Sequence, residues 1–160
     1  MSARTGLGYD SHRFEPGRRL VLGGVELPHD RGLAGHSDAD VLTHAIIDAL
    51  LGAAALGDIG QHFPDTDERY RDANSLELLV AVVKLLRGRG FSVVNVDATV
   101  VMERPRLAPA GDQIRETLAR AIGVEAQRVN VKATRGEGMG FVGREEGAAA
   151  LAVATVEQLA

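Results

Sequence analysis

Residues 36–67 constrain the fold more than any other part of the chain, because a long helix signal is followed there by a stiff loop. Ser37, with Asp40 three residues later, resembles a capping box in which an acid replaces the usual glutamate. Segment 57–67 combines two glycines, Pro64 and three aspartates, which predicts a structured loop. The helix is predicted from residue 38 to about residue 56, with one broad apolar face formed by Val41, Leu42, Ala45, Ile46, Ala49, Leu50 and Ala53.

A narrow row of ionisable side chains runs beside that apolar face. His36, Asp40, His44 and Asp48 follow one another at intervals of four residues, which places them on one side of a helix. A helix that only packs against a core does not need such a row, yet a solvated helix edge also has this pattern. The row is therefore a candidate functional site, and a second observation is needed to distinguish it from a solvated helix edge.

The first predicted strand supplies that observation, because Asp10 and His12 are two residues apart and point to the same face. Alone, such a pair is typical of a solvent-facing strand. With His44 it offers one carboxylate and two imidazoles, the ligand set of a catalytic zinc site with a free position. The facial triad of non-haem Fe(II) oxygenases uses the same ligands, usually in the order H-x-D/E. Without a metal, His44 would be a buried histidine bonded to Asp40 or Asp48.

The other elements follow from periodicity and from turn residues. The glycine-rich segment 134–147 is a second candidate ligand loop, and His29 is predicted to be exposed in a charged turn. The tail 148–159 is ambiguous, since its alanines favour a helix whereas LAVATV alternates as a strand does. The predicted elements are strand 4–14, two short strands around Gly23-Gly24 within 20–27, helix 38–56, helix 74–87, strand 91–103, helix 111–122 and strand 128–134.

This order of elements predicts an α/β sandwich in which a mixed sheet carries its helices on one face. A chain of 160 residues has room for one domain, so we expect residues 1–160 to form a single domain. The other sheet face would then be open, and we expect Val96, Ala98 and Val100 to need cover there. Burial of that face between identical chains predicts a homo-oligomer.

The composition limits which classes of partner and which cellular compartment we expect for this protein. The net charge of 18 − 22 = −4 provides no basic field to hold nucleic acid or an anionic membrane. Cysteine is absent, so a metal must be held by His, Asp, Glu or water. The N-terminal residues contain no apolar signal core, and no apolar span approaches about 20 residues. We therefore expect a cytoplasmic protein without a nucleic-acid or membrane partner.

Six motifs cover nearly the whole chain: GYDSHRF (8–14), GGVELP (23–28), AGHSDADVLTHAIIDALLGAAALGDIGQHFPDTD (34–67), VMERPRL (101–107), VNVKAT (129–134) and GFVGREEG (140–147). In this order they resemble the 2-C-methyl-D-erythritol 2,4-cyclodiphosphate synthases of the non-mevalonate isoprenoid pathway. The resemblance implies conversion of 4-diphosphocytidyl-2-C-methyl-D-erythritol 2-phosphate into the cyclic diphosphate, with release of CMP. The attacking group would be the substrate's own 2-phosphate, so no protein nucleophile is implied.

The resemblance also implies the cations and the catalytic residue. Asp10, His12 and His44 would hold Zn²⁺, which would act as a Lewis acid on the phosphates. His36 would stabilise the transition state. Glu137 would ligate a second cation, Mg²⁺ or Mn²⁺, on the substrate diphosphate.

The implied substrate contacts are spread over several loops. The methylerythritol part would lie against the loops within 58–67, and a carboxylate such as Asp58 suits its hydroxyl groups. The cytosine would be held, largely by backbone groups, between residues 102–108 and 133–134. The implied substrate-binding residues are Asp10, His12, Ser37, Asp58, Ile59, Gly60, Phe63, Pro64, Asp65, Thr66, Asp67, Arg106, Leu107, Ala133, Thr134, Glu137, Phe141 and Arg144.

The assembly implied by the resemblance is a homotrimer with its sheets facing the central axis and its active sites at the subunit junctions. In that assembly the tail 148–159 would be a strand. Phe141 and Arg144 would line the central cavity, where a ring and a guanidinium suit an isoprenoid diphosphate.

The chain departs from the family pattern at two neighbouring positions of one site segment. The family commonly reads K-A-T-T-T-E, whereas residues 132–137 read K-A-T-R-G-E. Arg135 replaces the threonine that has a transition-state role, and Gly136 replaces the next threonine. Either the guanidinium contacts a phosphate, or it turns away and leaves that role to backbone N–H groups beside Gly136. The threonine's role is therefore not assigned to Arg135.

Two other functions compete for the same residues. A metal-dependent hydrolase of phosphate esters would use water in place of the internal phosphate as the attacking group. A non-catalytic binder of isoprenoid diphosphates would use Phe141 and Arg144 and would leave Asp10, His12 and His44 without a purpose.

Overall fold

A mixed sheet with helices packed on one face forms the body of the protein. The computed structural model describes residues 2–160. The strands are β1 (Ser2–Pro16), β2 (Leu20–Leu22), β3 (Val25–Leu27), β4 (Arg31–Leu33), β5 (Phe91–Val101), β6 (Val129–Thr134) and β7 (Gly147–Gln158). The helices are α1 (Val41–Ala53), α2 (Ile59–His62), α3 (Ser75–Gly88), α4 (Gly111–Ile122) and α5 (Gly140–Gly143), with single 3₁₀ turns at Glu68–Tyr70, Ala108–Ala110 and Ala126–Arg128.

The main sheet has five strands in the order β4-β1-β7-β5-β6. Strands β5 and β6 are parallel, whereas the other neighbouring pairs are antiparallel. Strands β2 and β3 form a separate hairpin around Gly23-Gly24, as the glycine pair predicts. Strand β7 settles the ambiguous tail, because it lies between β1 and β5. Its alternate alanines, at most 2% exposed, face the helices: Ala148, Ala150, Ala152 and Ala154. The predicted mixed α/β architecture is confirmed.

Helix α1 lies unusually close to the sheet because the strands beneath it carry small residues. A Cβ on Gly8 would lie 1.8 Å from the carbonyl oxygen of Ala45, and one on Gly6 would lie 2.0 Å from that of Ala49. These glycines therefore let the backbones of α1 and β1 touch, which brings a side chain of α1 within reach of side chains on β1. Within residues 2–160, no helix is long and apolar enough to span a membrane.

The expected open face of the sheet was placed on the wrong residues. Val96, Ala98 and Val100 are at most 1% exposed, because they face the helices. Alternation along a strand indicates two faces but does not say which face the helices cover. The open face is instead formed by Leu7, Tyr9, Leu151 and Val153, whose exposed fractions are 67%, 53%, 39% and 41%.

The start of α1 also differs from the prediction, because Asp40 rather than Ser37 is its N-cap. The Asp40 carboxylate accepts hydrogen bonds from the backbone N–H groups of Gly23 (2.9 Å), Gly24 (2.8 Å) and Thr43 (3.0 Å), and from the Thr43 hydroxyl (2.8 Å). Burial raises the pKa of Asp40, and the hydrogen bonds from Thr43 and Gly24 oppose that rise. Asp40 thus joins the β2–β3 turn to α1 and is a structural residue.

Other boundaries show where the sequence prediction was accurate. Helix α4 has the predicted bounds, and α3 begins after an Asn74 cap within one residue of the prediction. Helix α1 ends earlier than predicted, since Ala55 already has a left-handed φ of 57°. His29 was predicted to be exposed, but its side chain is 15% exposed and its ring lies 5.8 Å from that of Phe14.

Candidate active site

Three predicted metal ligands converge where α1 crosses β1. The Asp10 Oδ2 atom lies 2.9 Å from His12 Nε2 and 3.1 Å from His44 Nδ1. The two imidazole nitrogens are 3.2 Å apart. All three ligand atoms lie within 4.8 Å of one another. Alternation on β1 places Asp10 and His12 on its helix face, and the close packing of α1 brings His44 to them.

The hydrogen bonds of His12 leave one of its ring nitrogens available to bind a cation in this cluster. His12 Nδ1 lies 2.9 Å from the carbonyl oxygen of Ala34, and because a carbonyl only accepts, Nδ1 must carry the proton. In the neutral ring, Nε2 then directs a lone pair at the Asp10 carboxylate. Two electron-rich atoms this close require a positive charge between or on them. One carboxylate and two imidazoles form a donor set that suits a divalent cation such as zinc.

The pKa shifts agree with a site built for positive charge. Burial opposes ionisation of Asp10, but hydrogen bonds to His12 and His44 and their positive charges outweigh it and lower the pKa to about 2. Burial also opposes protonation of His44, but its hydrogen bond to Asp10 and the charges of Asp10, Asp40 and Asp38 raise its pKa. In the metal-free protein, these shifts favour a carboxylate beside an imidazolium.

The cluster opens into a cavity of about 320 Å³. His36 stands in its wall, where its Nε2–H donates to the carbonyl oxygen of Asp67 at 3.0 Å. Two lining residues were missed from the sequence: Leu78, which looked like ordinary core, and Tyr70, an aromatic just after the aspartate-rich loop. The cavity is lined by Asp10, His12, His36, Ser37, His44, Ile59, Gly60, Phe63, Asp65, Tyr70 and Leu78.

The loop between α1 and the 3₁₀ turn at 68–70 is ordered by its acids. Asp48 accepts the N–H of Ile59 at 2.7 Å, and the exposed Asp58 caps α2 by accepting the N–H of Gln61 at 3.0 Å. Asp67 caps the 3₁₀ turn and pairs with Arg69 at 2.7 Å, so its carboxylate is already engaged. Thr66 is exposed and Pro64 half-buried beside the cavity-lining residues.

The predicted cytosine-binding segments do not reach this cavity within one chain. The sheet register aligns Asp10 with Ala150, Val100 and Ala133 in one row across four strands. Three inter-strand spacings separate Asp10 from Ala133, roughly 14 Å. Arg106 instead lines a second cavity of about 550 Å³, together with His29, Asp30, Arg31, Glu103, Arg104, Pro105 and Arg135. Leu107 is buried beside it, and Thr134 is exposed at the end of β6.

Arg135 turns towards Glu103 rather than standing free. Its guanidinium lies 3.3 Å from one carboxylate oxygen of Glu103, whose other oxygen accepts the N–H of Gly136 at 2.8 Å. The sequence left two candidates for contacting a phosphate here: the Arg135 guanidinium and the backbone N–H groups beside Gly136. Glu103 engages both the guanidinium and the Gly136 N–H. Glu137 is exposed with a left-handed φ of 53°.

Phe141 and Arg144 lie on or next to the short helix α5, apart from the residues that line the first cavity. Phe141 is 40% exposed. The Arg144 guanidinium pairs with Glu146 at 2.8 Å. These side chains therefore face solvent in the single chain.

A family model described as the YgbB family matches residues 3–157, nearly the whole chain. The chain belongs to the YgbB family. The match includes both ends of the sheet row that separates Asp10 from Ala133. It therefore covers the metal-ligand cluster and the second cavity together.

Relatives of this YgbB-family chain agree with the resemblance inferred from its motifs. It is 61% identical over 155 residues to the 2-C-methyl-D-erythritol 2,4-cyclodiphosphate synthase of Syntrophomonas wolfei, covering 97% of this chain and 99% of that one. It matches the bifunctional IspDF of Campylobacter jejuni with a TM-score of 0.95 and 41% identity, over 99% of this chain and 43% of that one. It matches the CDP complex of IspF from Plasmodium falciparum with a TM-score of 0.87 and 26% identity, over 99% and 98% of the two chains.

Proposed function

We propose that the protein is a 2-C-methyl-D-erythritol 2,4-cyclodiphosphate synthase that acts on 4-diphosphocytidyl-2-C-methyl-D-erythritol 2-phosphate and releases CMP. The observation that carries this proposal is the Asp10, His12 and His44 cluster, which opens into a cavity flanked by His36 and Ser37. The relative from Syntrophomonas wolfei, with 61% identity over nearly its full length, bears that name.

The reaction is an intramolecular transfer at phosphorus. An oxygen of the 2-phosphate attacks the β-phosphorus, and the bond from that phosphorus to the oxygen bridging to CMP breaks. CMP leaves with the electron pair, so the enzyme is classed as a phosphorus–oxygen lyase. Because the nucleophile belongs to the substrate, the protein contributes by folding the substrate back on itself and by stabilising charge.

Residues of the cavity provide this positioning. His36 is fixed by its bond to the Asp67 carbonyl, which leaves Nδ1 to donate to a phosphate oxygen when the ring is protonated. Ser37 offers a hydroxyl beside His44, and Asp65 offers a carboxylate to the methylerythritol hydroxyls. The rings of Phe63 and Tyr70, 5.3 Å apart and edge-to-face, form an apolar wall that limits the access of water.

Two divalent cations complete the proposed site. Asp10, His12 and His44 would hold Zn²⁺ or another divalent cation, and the exposed Glu137 would hold Mg²⁺ or Mn²⁺ on the substrate diphosphate. When bound, these ions supply Lewis-acid stabilisation of negative charge on the phosphate oxygens. The donor set of the first site matches such an ion, as the proton on His12 Nδ1 indicates.

A homotrimer would complete the active site. Residues 102–108 and 133–134, proposed to bind the cytosine, lie about 14 Å across the sheet from Asp10 of the same chain. A neighbouring subunit can bring its own copy of these segments to the metal cluster. The exposed apolar face of Leu7, Tyr9, Leu151 and Val153 supports an assembly with the sheets facing the central axis. In that assembly, Phe141 and Arg144 would line a cavity suited to an isoprenoid diphosphate.

The two competing functions are not favoured, because the relatives of this chain are named as synthases. The variant His44→Ala tests the proposal against the non-catalytic binder. We expect it to lose bound zinc and turnover together, as measured by metal analysis and CMP release. A variant that loses zinc but keeps full turnover would overturn the proposed role of the metal cluster.

A further inference from the structure

His44 has a second nitrogen that faces away from the metal-ligand cluster, towards α3. Its Nε2 atom lies 2.8 Å from the hydroxyl oxygen of Ser75 and 3.2 Å from that of Ser37. Ser75 is fully buried and is the first residue of α3, which Asn74 caps. Ser75 is therefore not needed as the helix cap, and its hydroxyl is free for another role.

The hydrogen bonds of Asp38 determine what that hydroxyl can do. The Asp38 carboxylate accepts the N–H of Ser75 at 3.0 Å and the N–H of Asp40 at 3.1 Å, and it also receives a short hydrogen bond from the Ser75 hydroxyl. A carboxylate only accepts, so the single hydroxyl proton of Ser75 points at Asp38. Towards His44, the Ser75 oxygen can then only accept. The bond to Ser75 therefore requires a proton on His44 Nε2. A cation bound at the cluster would then take the place of the Nδ1 proton, which otherwise faces the Asp10 carboxylate at 3.1 Å.

We infer that Asp38 and Ser75 are positioning residues that fix the tautomer of His44 and thereby set the affinity of the cluster for a divalent cation. The inference rests on the proposed function, since it assumes that the cluster holds a metal. A metal-binding histidine needs its free nitrogen aimed at the ion, and the group bonded to its other nitrogen decides which tautomer is present.

Ser37 cannot replace Ser75 in this role, although it is almost as close to His44. The Ser37 oxygen accepts the N–H of Ala39 at 3.3 Å, and its own proton has no carboxylate to hold it. The Ser37 hydroxyl can therefore donate to Nε2, which would favour a proton on Nδ1 and oppose metal binding. Ser75 differs because Asp38 makes it an obligatory acceptor.

The same loop controls both imidazoles of the cluster. Ala34 accepts the Nδ1 proton of His12 at 2.9 Å, and Asp38 acts on His44 through Ser75. Residues 34–38 also carry His36 and Ser37, which line the cavity. One segment thus positions the metal ligands and the residues proposed to meet the substrate.

The test is the Zn²⁺ dissociation constant of Ser75→Ala, measured by competition with a chromophoric chelator. We expect the affinity to fall about 10- to 100-fold, the usual cost of losing a hydrogen-bond partner of a metal ligand. The remote Ser92→Ala is the matched control and should leave the affinity unchanged. Ser37→Ala should not weaken binding, because the Ser37 hydroxyl is not held as an acceptor towards His44. If Ser75→Ala does not fold without metal, Asp38→Ala takes its place, because it leaves no oxygen to hold the Ser75 hydroxyl proton and should also weaken zinc binding.

A spectroscopic readout separates positioning from a general loss of structure. Proton NMR of the zinc-loaded protein should show a slowly exchanging Nε2–H of His44 in the wild type, because the Ser75 oxygen accepts it. In Ser75→Ala that proton should exchange faster with water. Unchanged affinity and unchanged proton exchange in the variants would overturn the inference. A His12→Ala variant that binds zinc as tightly as the wild type would instead overturn the proposed metal site.

Discussion

At the scale of single residues, two acids that looked alike in the sequence have different roles. Asp40 and Asp48 both belong to the four-residue row, yet Asp40 is fully buried and accepts four hydrogen bonds, whereas Asp48 is half-buried and accepts the N–H of Ile59. Neither contributes an atom to the metal-ligand cluster. Spacing along a helix predicts the direction in which a side chain points, but it does not predict which hydrogen-bond donors other segments place there.

Replacement of Asp40 by alanine should destabilise the protein without touching a metal ligand. Three backbone N–H groups and one hydroxyl would lose a buried acceptor, for an expected loss of about 2–4 kcal/mol in the free energy of unfolding. Urea unfolding measures the loss, and Asp112→Ala on the exposed first turn of α4 is the control. A change of less than about 0.5 kcal/mol would mean that Asp40 does not hold the hairpin to α1.

Arg135 stands where the family pattern has the threonine with a transition-state role. Its guanidinium is paired with Glu103, and in the proposed site the cations and His36 would stabilise charge on the phosphates, so Arg135→Thr should retain activity within about tenfold, or about 1.4 kcal/mol of barrier. Steady-state measurement of kcat/KM gives the answer. A loss of about a thousandfold would show that Arg135 has become a main stabiliser of charge.

At the scale of elements, the contact between β1 and α1 creates the site. Gly8 has no room for a Cβ, which would lie 1.8 Å from the Ala45 carbonyl oxygen. Gly8→Ala should therefore destabilise the fold by more than about 3 kcal/mol, or prevent folding, as judged by thermal and urea unfolding. Gly88→Ala is the matched control, because nothing lies within 4 Å of its added carbon. Equal stability of the two variants would contradict the close packing of α1 on β1.

Most elements could be predicted because each carries a local signal. Valine alternation gave β5, the Gly23-Gly24 pair gave the β2–β3 hairpin, and the helical apolar face gave α1. Strand β7 could not be predicted from its residues, since alanine there serves to let α1 approach the sheet, which is a tertiary requirement. The prediction of which face of β5 is open was wrong for a related reason. Alternation along a strand defines two faces, but only the placement of the helices decides which of the two is covered.

The site could be predicted only in part. Asp10, His12 and His44 were found from two separate signals, a strand pair and a helix row, and the structure brings them together. Tyr70 and Leu78 carried no signal beyond ordinary aromatic and apolar residues. Ser75 and Asp38 were not found, because their role arises from hydrogen bonds between distant segments.

At the scale of the whole molecule, the open sheet face predicts how subunits meet. Val153→Asp places a charge in the middle of that face, where Val153 is 41% exposed in the single chain. We expect the variant to be monomeric by analytical ultracentrifugation, to lose CMP release, and to keep its affinity for zinc. The matched control is Val80→Asp on α3, at 49% exposure away from the sheet. A monomeric Val153→Asp variant with full activity would refute a site shared between subunits.

The most direct test of the central claim is the identity of the product. The purified protein is incubated with 4-diphosphocytidyl-2-C-methyl-D-erythritol 2-phosphate and a divalent cation, and the reaction is followed by phosphorus-31 NMR. We predict equal amounts of CMP and the cyclic 2,4-diphosphate, and no product when a chelator is present. CMP accompanied by the open-chain 2,4-bisphosphate, with two separate phosphate monoesters, would show that water is the attacking group, and the protein would then be a hydrolase.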